Sequence, residues 1–331
     1  MIKIAIVEKI DNDGIKILEE NPKFDFKIIE DVSKENLIKE LPKYDGLTLR
    51  VVKLDSDILS HCKNLKVISR HGVGYDNVDL NFLKKNNIKL LITATANAVA
   101  VAEHVMYMML SLSKSVTSYD NAVRSGTFKK NAGKIQTYEL FNKEILIVGF
   151  GRIGKHLIKR CLGFDMKVNV FDPFVGNDII KSYGGTKIEK LNSGIITSDF
   201  VSIHMPLNKE TKNLFNMEML KTMKKSSILI NTARGGIINE KDLDIALKKN
   251  IIFAAGLDVF EKEPPDLSNP LLKNNKVLLS PHSATFTKEC KSRMGIETVQ
   301  NIIDFFENKI KPSMKVKLWI IFLLNLKIMD Y

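Results

Sequence analysis

The sequence predicts an α/β protein of two Rossmann-like domains, each built on a parallel sheet. Three observations predict it. Strand-like apolar runs alternate with helix-like segments along nearly the whole chain, the pattern of parallel sheets covered by helices on both faces. Gly149-Phe150-Gly151-Arg152-Ile153-Gly154 sits between the apolar run Ile145-Leu146-Ile147-Val148 and a helix-like segment from Lys155 to Leu162. With 331 residues, the chain is long enough for two domains of ordinary size, each with its own core.

In order, Ile2 to Val7 reads as the first strand, followed by a helix near Asp13 to Glu20 that turns Ile15 and Leu18 inward. Phe26 to Ile29 is a second strand, and Ser33 is placed as the N-cap of a helix over Lys34 to Leu41. Gly46 to Leu49, Val67 to Ser69 and Ile88 to Ile92 complete five strands. From Val99 the residues Val101, Val105, Met108, Met109, Leu112 and Val116 recur every three or four positions, which predicts one long helix ending near Arg124, with Gly126 as its C-cap. Further strands are expected at Lys167 to Phe171, Phe200 to His204, Ser227 to Asn231, Phe253 to Val259 and Val277 to Ser280, with helices at Met217 to Met223 and Glu240 to Leu247. A last helix over Thr287 to Asn308, with Met294, Thr298, Ile302 and Phe305 on one side, would return the chain to the first domain. The expected organisation is therefore one domain from 1–97 and 288–331, discontinuous, and a second from 98–287, with a cleft between them.

The glycine stretch has a chemical reading. Gly149 permits a tight turn, Gly151 lets the backbone approach a pyrophosphate, and Gly154 lets the following helix pack closely on the sheet. The unpaired N–H groups at the helix start face the anion. The strand after this helix ends at Asp172, 23 residues beyond Gly149, within reach of the hydroxyls of an adenosine ribose. A 2′-phosphate there would meet a carboxylate, and Pro173-Phe174 supplies no arginine to offset it, so NAD is expected rather than NADP.

Bulk properties exclude other classes. The net charge of +12 comes from lysines scattered through every segment, a solvated basic surface without the stripe or motif of a nucleic-acid binder. Cys62, Cys161 and Cys290 are far apart and form no CxxC, so neither a disulfide framework nor a zinc site is indicated and a reducing cytosol is expected. The amino terminus reads as a strand rather than a signal peptide. The apolar tail Leu318 to Leu324 is too short to span a bilayer.

Three loops follow strands of the second domain, where open α/β sheets bind ligands. In Asn231-Thr232-Ala233-Arg234-Gly235-Gly236, an arginine flanked by paired glycines can meet a carboxylate bidentately. Gly256-Leu257-Asp258-Val259-Phe260-Glu261-Lys262-Glu263-Pro264 brings acids, and a turn could present either Glu261 or Glu263. Ser280-Pro281-His282-Ser283-Ala284-Thr285 brings a histidine able to exchange an alcohol proton near neutral pH.

With these motifs in hand (RHGVGYDNVD, NAVAVAEH, GFGRIG, HMPLNKET, NTARGG, GLDVFEKEPP and PHSAT), the chain resembles the D-isomer-specific 2-hydroxyacid dehydrogenases from Met1 to about Pro312. The resemblance implies a trio: His282 as acid/base, Glu263 as its partner, and Arg234 as anchor for the substrate carboxylate and keto oxygen. It implies that Arg152 and Ile153 meet the pyrophosphate and that His204, Met205, Pro206 and Thr211 lie beside the adenosine half. Thr232, Ala233, Asp258, Ser283 and Ala284 would bracket the nicotinamide. Val73 and Gly74 would offer main-chain N–H groups to the substrate, with Asn97 near the hinge. A homodimer through the helix from Val99 is implied too. Of the other histidines, His61 and His156 are expected at the surface and His104 as a satisfied core group, with His71 and His204 off the proton-transfer position. Within the family the chain is most similar to the phosphoglycerate dehydrogenases, since Arg50, Arg70 and Lys130 fall where cations would surround a substrate phosphate. Val51 replaces the serine usual beside Arg50, and PHSAT departs from the commoner PHIG. Glyoxylate, hydroxypyruvate or D-lactate chemistry, or an NAD-sensing co-repressor role, are the alternatives.

Overall fold

The computed structural model of the protein describes residues 1–131 and 133–316. Among the described residues it divides into two compact units, one comprising Met1–Asn97 and residues 285–316, the other Ala98–Ala284. The expected tail segment Leu318 to Leu324 lies outside the described residues.

In the first unit, strands β1 (Ile2–Val7), β2 (Phe24–Ile29), β3 (Gly46–Leu49), β4 (Val67–Arg70) and β5 (Lys89–Ile92) alternate with helices α1 (Asn12–Glu19), α2 (Lys34–Glu40), α3 (Ser56–His61) and α4 (Leu80–Lys85). All strand pairs are parallel, in the order β2-β1-β3-β4-β5. Side chains of a strand alternate between faces, so β1 feeds two cores. Ile4 and Ile6 pack with Val67, Leu91 and Ile302, whereas Ala5 and Val7 pack with Leu37, Leu47 and Leu59. Ser33 stands at the N-cap of α2, but its side chain makes no capping bond. Asp55 and Asp79 do cap α3 and α4, accepting from the N–H groups of Ile58 and Phe82 at 3.0 Å.

The second unit opens with α5 (Ala98–Ser113), α6 (Val116–Arg124) and α7 (Phe128–Asn131). The single long helix expected here is broken. Ser115 takes a left-handed backbone (φ 51°) between α5 and α6. The apolar stripe runs on through Val116, so periodicity alone hides the break; Val116 is in fact largely exposed. Gly126 follows α6 with φ +70°, and the Thr127 N–H reaches back to Ala122 O at 2.9 Å, closing the helix end.

There follow β6 (Glu144–Val148), α8 (Arg152–Leu162), β7 (Lys167–Phe171), α9 (Asn177–Ser182), β8 (Thr186–Lys187), α10 (Leu191–Thr197), β9 (Phe200–Ile203), α11 (Met217–Thr222), β10 (Ile228–Asn231), α12 (Glu240–Lys248), β11 (Ala254–Leu257) and β12 (Val277–Leu279). These strands form one parallel sheet, β12-β11-β10-β9-β6-β7-β8. Leu146 and Val148 of β6 face one core and Ile145 and Ile147 the other. Helix α13 (Lys288–Phe306) then returns to the first unit, capped by Thr287 and burying Met294, Thr298 and Ile302. Among the described residues, no helix is long and apolar enough to cross a membrane.

Candidate functional site

Strand order in the second unit reverses between β6 and β9: β7 and β8 lie to one side, β10 to β12 to the other. Ligands of open α/β sheets bind beyond the carboxyl ends of the strands at such a point. Gly149 leaves β6 there with φ +99°, and a Cβ on it would come within 2.7 Å of His204 O, at the end of β9. Only glycine fits. Its N–H donates to Phe171 O at 2.8 Å, while the His204 N–H donates to Val148 O at 2.7 Å. The turn is thus sewn to both neighbouring strands. Beyond it, Gly151 precedes the first turn of α8, with nothing within 4 Å of where a Cβ would stand. Arg152 and Ile153 begin the helix.

Asp172 Oδ2 accepts from the Phe150 N–H at 2.7 Å and Oδ1 from the Phe174 N–H at 2.8 Å. The carboxylate therefore braces the glycine turn, and each oxygen retains lone-pair capacity for a ribose hydroxyl. Open space at Gly151 and an acid positioned by backbone donors fit a dinucleotide. Thr232 Oγ1 and His204 Nδ1 add buried polar atoms without a hydrogen-bond partner. Thr211, expected beside the adenosine half, spends its hydroxyl within its own loop. It donates to Pro206 O at 2.7 Å and accepts from the Asn208 N–H at 2.8 Å. This holds the turn that carries Met205 and Pro206. Burial pushes the pKa of His204 down to about 4, so its ring, bonded to Ser202 Oγ at 2.8 Å, is neutral.

At the end of β10, the buried Asn231 side chain folds the next loop. Its amide donates to Arg234 O at 2.8 Å and its Oδ1 accepts from the Ala233 N–H at 3.0 Å. Arg234 Nη1 donates to Ala233 O at 2.6 Å. A Cβ on Gly235 would lie 1.8 Å from Phe260 O, so this glycine is what lets the arginine loop lie against the loop that carries the acid. The Phe260 N–H donates to Glu263 Oε1 at 3.0 Å, and Glu263 Oε2 accepts from His282 Nδ1 at 2.8 Å. Glu261 is exposed, with its N–H on Glu240 Oε1. Burial works to raise the Glu263 pKa, but the His282 and Phe260 hydrogen bonds and the charges of His282 and Arg234 outweigh it, leaving the carboxyl below its ordinary value. The His282 side chain is 49% exposed. Phe260, Pro264, Pro265 and Leu279 line an apolar pocket of about 400 Å³ whose wall includes Glu263 and His282.

Asp258, expected near the nicotinamide, is fully buried. Its carboxylate accepts from the N–H groups of Ser283 and Ala284 (2.8 and 3.1 Å) and from Ser280 Oγ (2.5 Å). His104, expected as a satisfied core group, is satisfied but not fully enclosed. Its Nε2 lies 2.9 Å from Ser280 Oγ and 3.6 Å from Asp258 Oδ1. Nor is His156 a surface group: it is half-buried, and its pKa is lowered by burial and by Arg160 and Lys159.

In the first unit, Arg70 ends β4 as a strut. Its Nε donates to Asn77 Oδ1 at 3.2 Å and its Nη1 to Leu49 O and His71 O at 3.2 and 2.9 Å. Arg50 Nη1 donates to Lys9 O at 3.1 Å. Glu8 Oε2 accepts from the Val51 and Val52 N–H groups at 2.8 and 3.1 Å. Val73 and Gly74 follow on the β4 loop, half-buried, and Asn97 is buried with Oδ1 lacking a partner. Lys130 is exposed on α7. Reading from sequence missed Asn231, Ser280 and the place of His104. The asparagine at a strand end before Thr-Ala-Arg-Gly-Gly was the one legible signal.

The chain is similar to known proteins over nearly its whole length. Residues 106–284 match the model of the D-isomer specific 2-hydroxyacid dehydrogenase NAD binding domain. A D-3-phosphoglycerate dehydrogenase of Archaeoglobus fulgidus is 34% identical over 92% of this chain, which spans only 57% of that relative's length. A hydroxypyruvate reductase of Thermotoga maritima is 34% identical over 91% of this chain and 97% of its own. Among solved structures, the TT0316 protein of Thermus thermophilus superposes with a TM-score of 0.86 at 27% identity, covering 95% of this chain and all of the other.

Proposed function

The chain belongs to the D-isomer-specific 2-hydroxyacid dehydrogenase family, and from that premise we propose that it is an NAD-dependent oxidoreductase interconverting a small anionic 2-hydroxy acid and its 2-keto acid. The observation that carries this reading is the 2.8 Å bond between His282 Nδ1 and Glu263 Oε2, beside the loop of Arg234. A carboxylate only accepts, so Nδ1 bears the proton and Nε2 is the ring atom left to exchange a proton with the C2 oxygen. Arg234 would hold the substrate carboxylate and keto oxygen through its planar fork. NAD, held by the turn from Gly149 to Gly154, by Asp172 and by the strand-end groups at Thr232 and Ala233, would supply the hydride acceptor or donor. Glu263 would keep the imidazole in one tautomer and in one orientation.

For the substrate we propose 3-phosphoglycerate, oxidised to 3-phosphohydroxypyruvate as the opening of serine synthesis, with Arg50, Arg70, Val73, Gly74 and Asn97 as the substrate-side residues. A second reading, hydroxypyruvate or glyoxylate reduction, is favoured by the commitment of Arg70 to backbone acceptors and of the Val51 and Val52 N–H groups to Glu8. Both spend groups that a phosphate would need. Steady-state NADH oxidation with phosphohydroxypyruvate, hydroxypyruvate, glyoxylate and pyruvate separates the two. Highest kcat/KM on the phosphorylated acid supports the first, and no turnover across the panel would move the chain to an NAD-sensing, co-repressor-like role. Assembly as a homodimer through α5 belongs to the same proposal, and a light-scattering mass of one chain would contradict it.

A further inference from the structure

Two polar side chains at the site have no part in the reaction as proposed: His104 on α5 and Ser280 at the end of β12. Ser280 Oγ donates its single proton to Asp258 Oδ1 at 2.5 Å. Toward His104 Nε2, 2.9 Å away, it can then only accept. His104 therefore carries its proton on Nε2 and donates to Ser280, giving a directed chain from His104 through Ser280 to Asp258. Burial lowers the His104 pKa against the opposing pull of Asp258, which favours the neutral ring.

Asp258 is the end of that chain and the beginning of another. Its carboxylate holds the Ser283 and Ala284 N–H groups, and its carbonyl accepts the His282 N–H at 2.8 Å. Its own N–H donates to Asn231 O at 3.0 Å, at the root of the Arg234 loop. His282 takes a left-handed backbone, φ 52°, a conformation of cost for a residue with a Cβ that persists only where the surroundings impose it. The imposing groups are those of Asp258. We infer that His104 and Ser280 are positioning residues. They fix the Asp258 carboxylate, which in turn sets the turn that aims His282 at the substrate. Displacing a reacting group by about 1 Å can lower rates on the order of 100-fold, so this seat is where geometry and rate are coupled.

The inference rests on the proposed reaction, so the test has one arm that needs no turnover. Hydrogen exchange of the segment 280–286 is followed by mass spectrometry in the wild-type chain and in Ser280→Ala, Ser280→Thr, His104→Phe and His104→Gln. Exchange at Ser283 and Ala284 should speed up roughly tenfold in Ser280→Ala and His104→Phe, as expected on weakening bonds to a charged acceptor. It should return toward the wild-type rate in Ser280→Thr and His104→Gln, which restore a hydroxyl and an N–H donor. Unchanged exchange in Ser280→Ala overturns the seat, whether or not the wild-type chain proves active. The second arm uses the best keto acid of the panel with NADH and 4-deuterated NADH. Ser280→Ala should lower kcat roughly 10- to 100-fold and enlarge the primary isotope effect, with NADH affinity by fluorescence titration nearly unchanged. A loss of NADH-binding sites in proportion to the rate, with the isotope effect unaltered, would mean damaged folding and would overturn the positioning role. An inactive wild-type chain would sink the proposed reaction and leave the exchange result to decide the seat.

Discussion

His71 and His282 each follow a parallel strand, one in the first unit after β4 and one in the second after β12, yet their surroundings make them chemically opposite. His71 is largely enclosed, its Nδ1 3.0 Å from Thr298 Oγ1. Burial, together with the charges of Arg50 and Arg70, drives its pKa down to about 3. His282 stands half in solvent with a carboxylate on Nδ1. The same residue type at the same kind of strand end is disabled by burial, with two arginines adding to it, in one unit and paired with a glutamate in the other. A strand-end histidine is thus a candidate on sequence, and its neighbours decide what it can do.

The change expected to matter most strikes the equipped histidine. His282→Ala should reduce kcat/KM by roughly 10²–10⁴-fold while NADH still binds by fluorescence titration. Near-normal turnover would erase the contrast. Next in size is Arg234→Lys, which keeps the charge but loses the planar fork. A rise in substrate KM of roughly tenfold or more is expected, since charge-assisted bidentate bonds are the stronger kind, with NADH affinity held. Asp172→Ala removes both the brace on Phe150 and Phe174 and the proposed ribose acceptor. NAD affinity should fall about fivefold to tenfold, a little over the loss of one ordinary hydrogen bond; equal gain for NADP would show the acid to be a selectivity element as well.

The smallest effect falls on the disabled histidine. The folded-state pKa of His71 lies below its ordinary 6.5, so above that pH both folded and unfolded chains carry it neutral and it contributes nothing. As pH falls below 6.5 the unfolded chain takes up a proton that the folded chain refuses, and stability declines toward pH 3. His71→Asn, which can still donate to Thr298, should flatten the fall in Tm between pH 6.5 and 4 without changing turnover at neutral pH. An unchanged slope would show that His71 is not a source of the acid sensitivity.

Much of this was legible in the residues themselves. Apolar strands such as Ile2–Val7, the glycine turn with Asp172 at its expected distance, and an arginine and a histidine in the loops after strands all declared themselves locally. What stayed hidden depends on tertiary contact. The break at Ser115 is masked because the apolar stripe continues past it, and β8, at Thr186–Lys187, is too short to show a period. Glu261 and Glu263 are equivalent in sequence until the backbone brings one of them to His282. His104 and Ser280 are 176 positions apart, so no spacing rule could pair them. Arg70 shows the converse: a cation at a strand end reads as a ligand for an anion, and the fold employs it to tie Leu49, His71 and Asn77 together.

The proposed dependence of Glu263 on His282 can be read from a double-mutant cycle. kcat/KM on the best keto acid is measured for wild type, His282→Ala, Glu263→Gln and the pair. Glu263→Gln alone should be strongly impaired, yet add almost nothing once His282 is gone, because residues acting as one unit are not additive. If the two losses multiply in the double variant, Glu263 works independently of the imidazole and the proposed pairing of the two side chains fails.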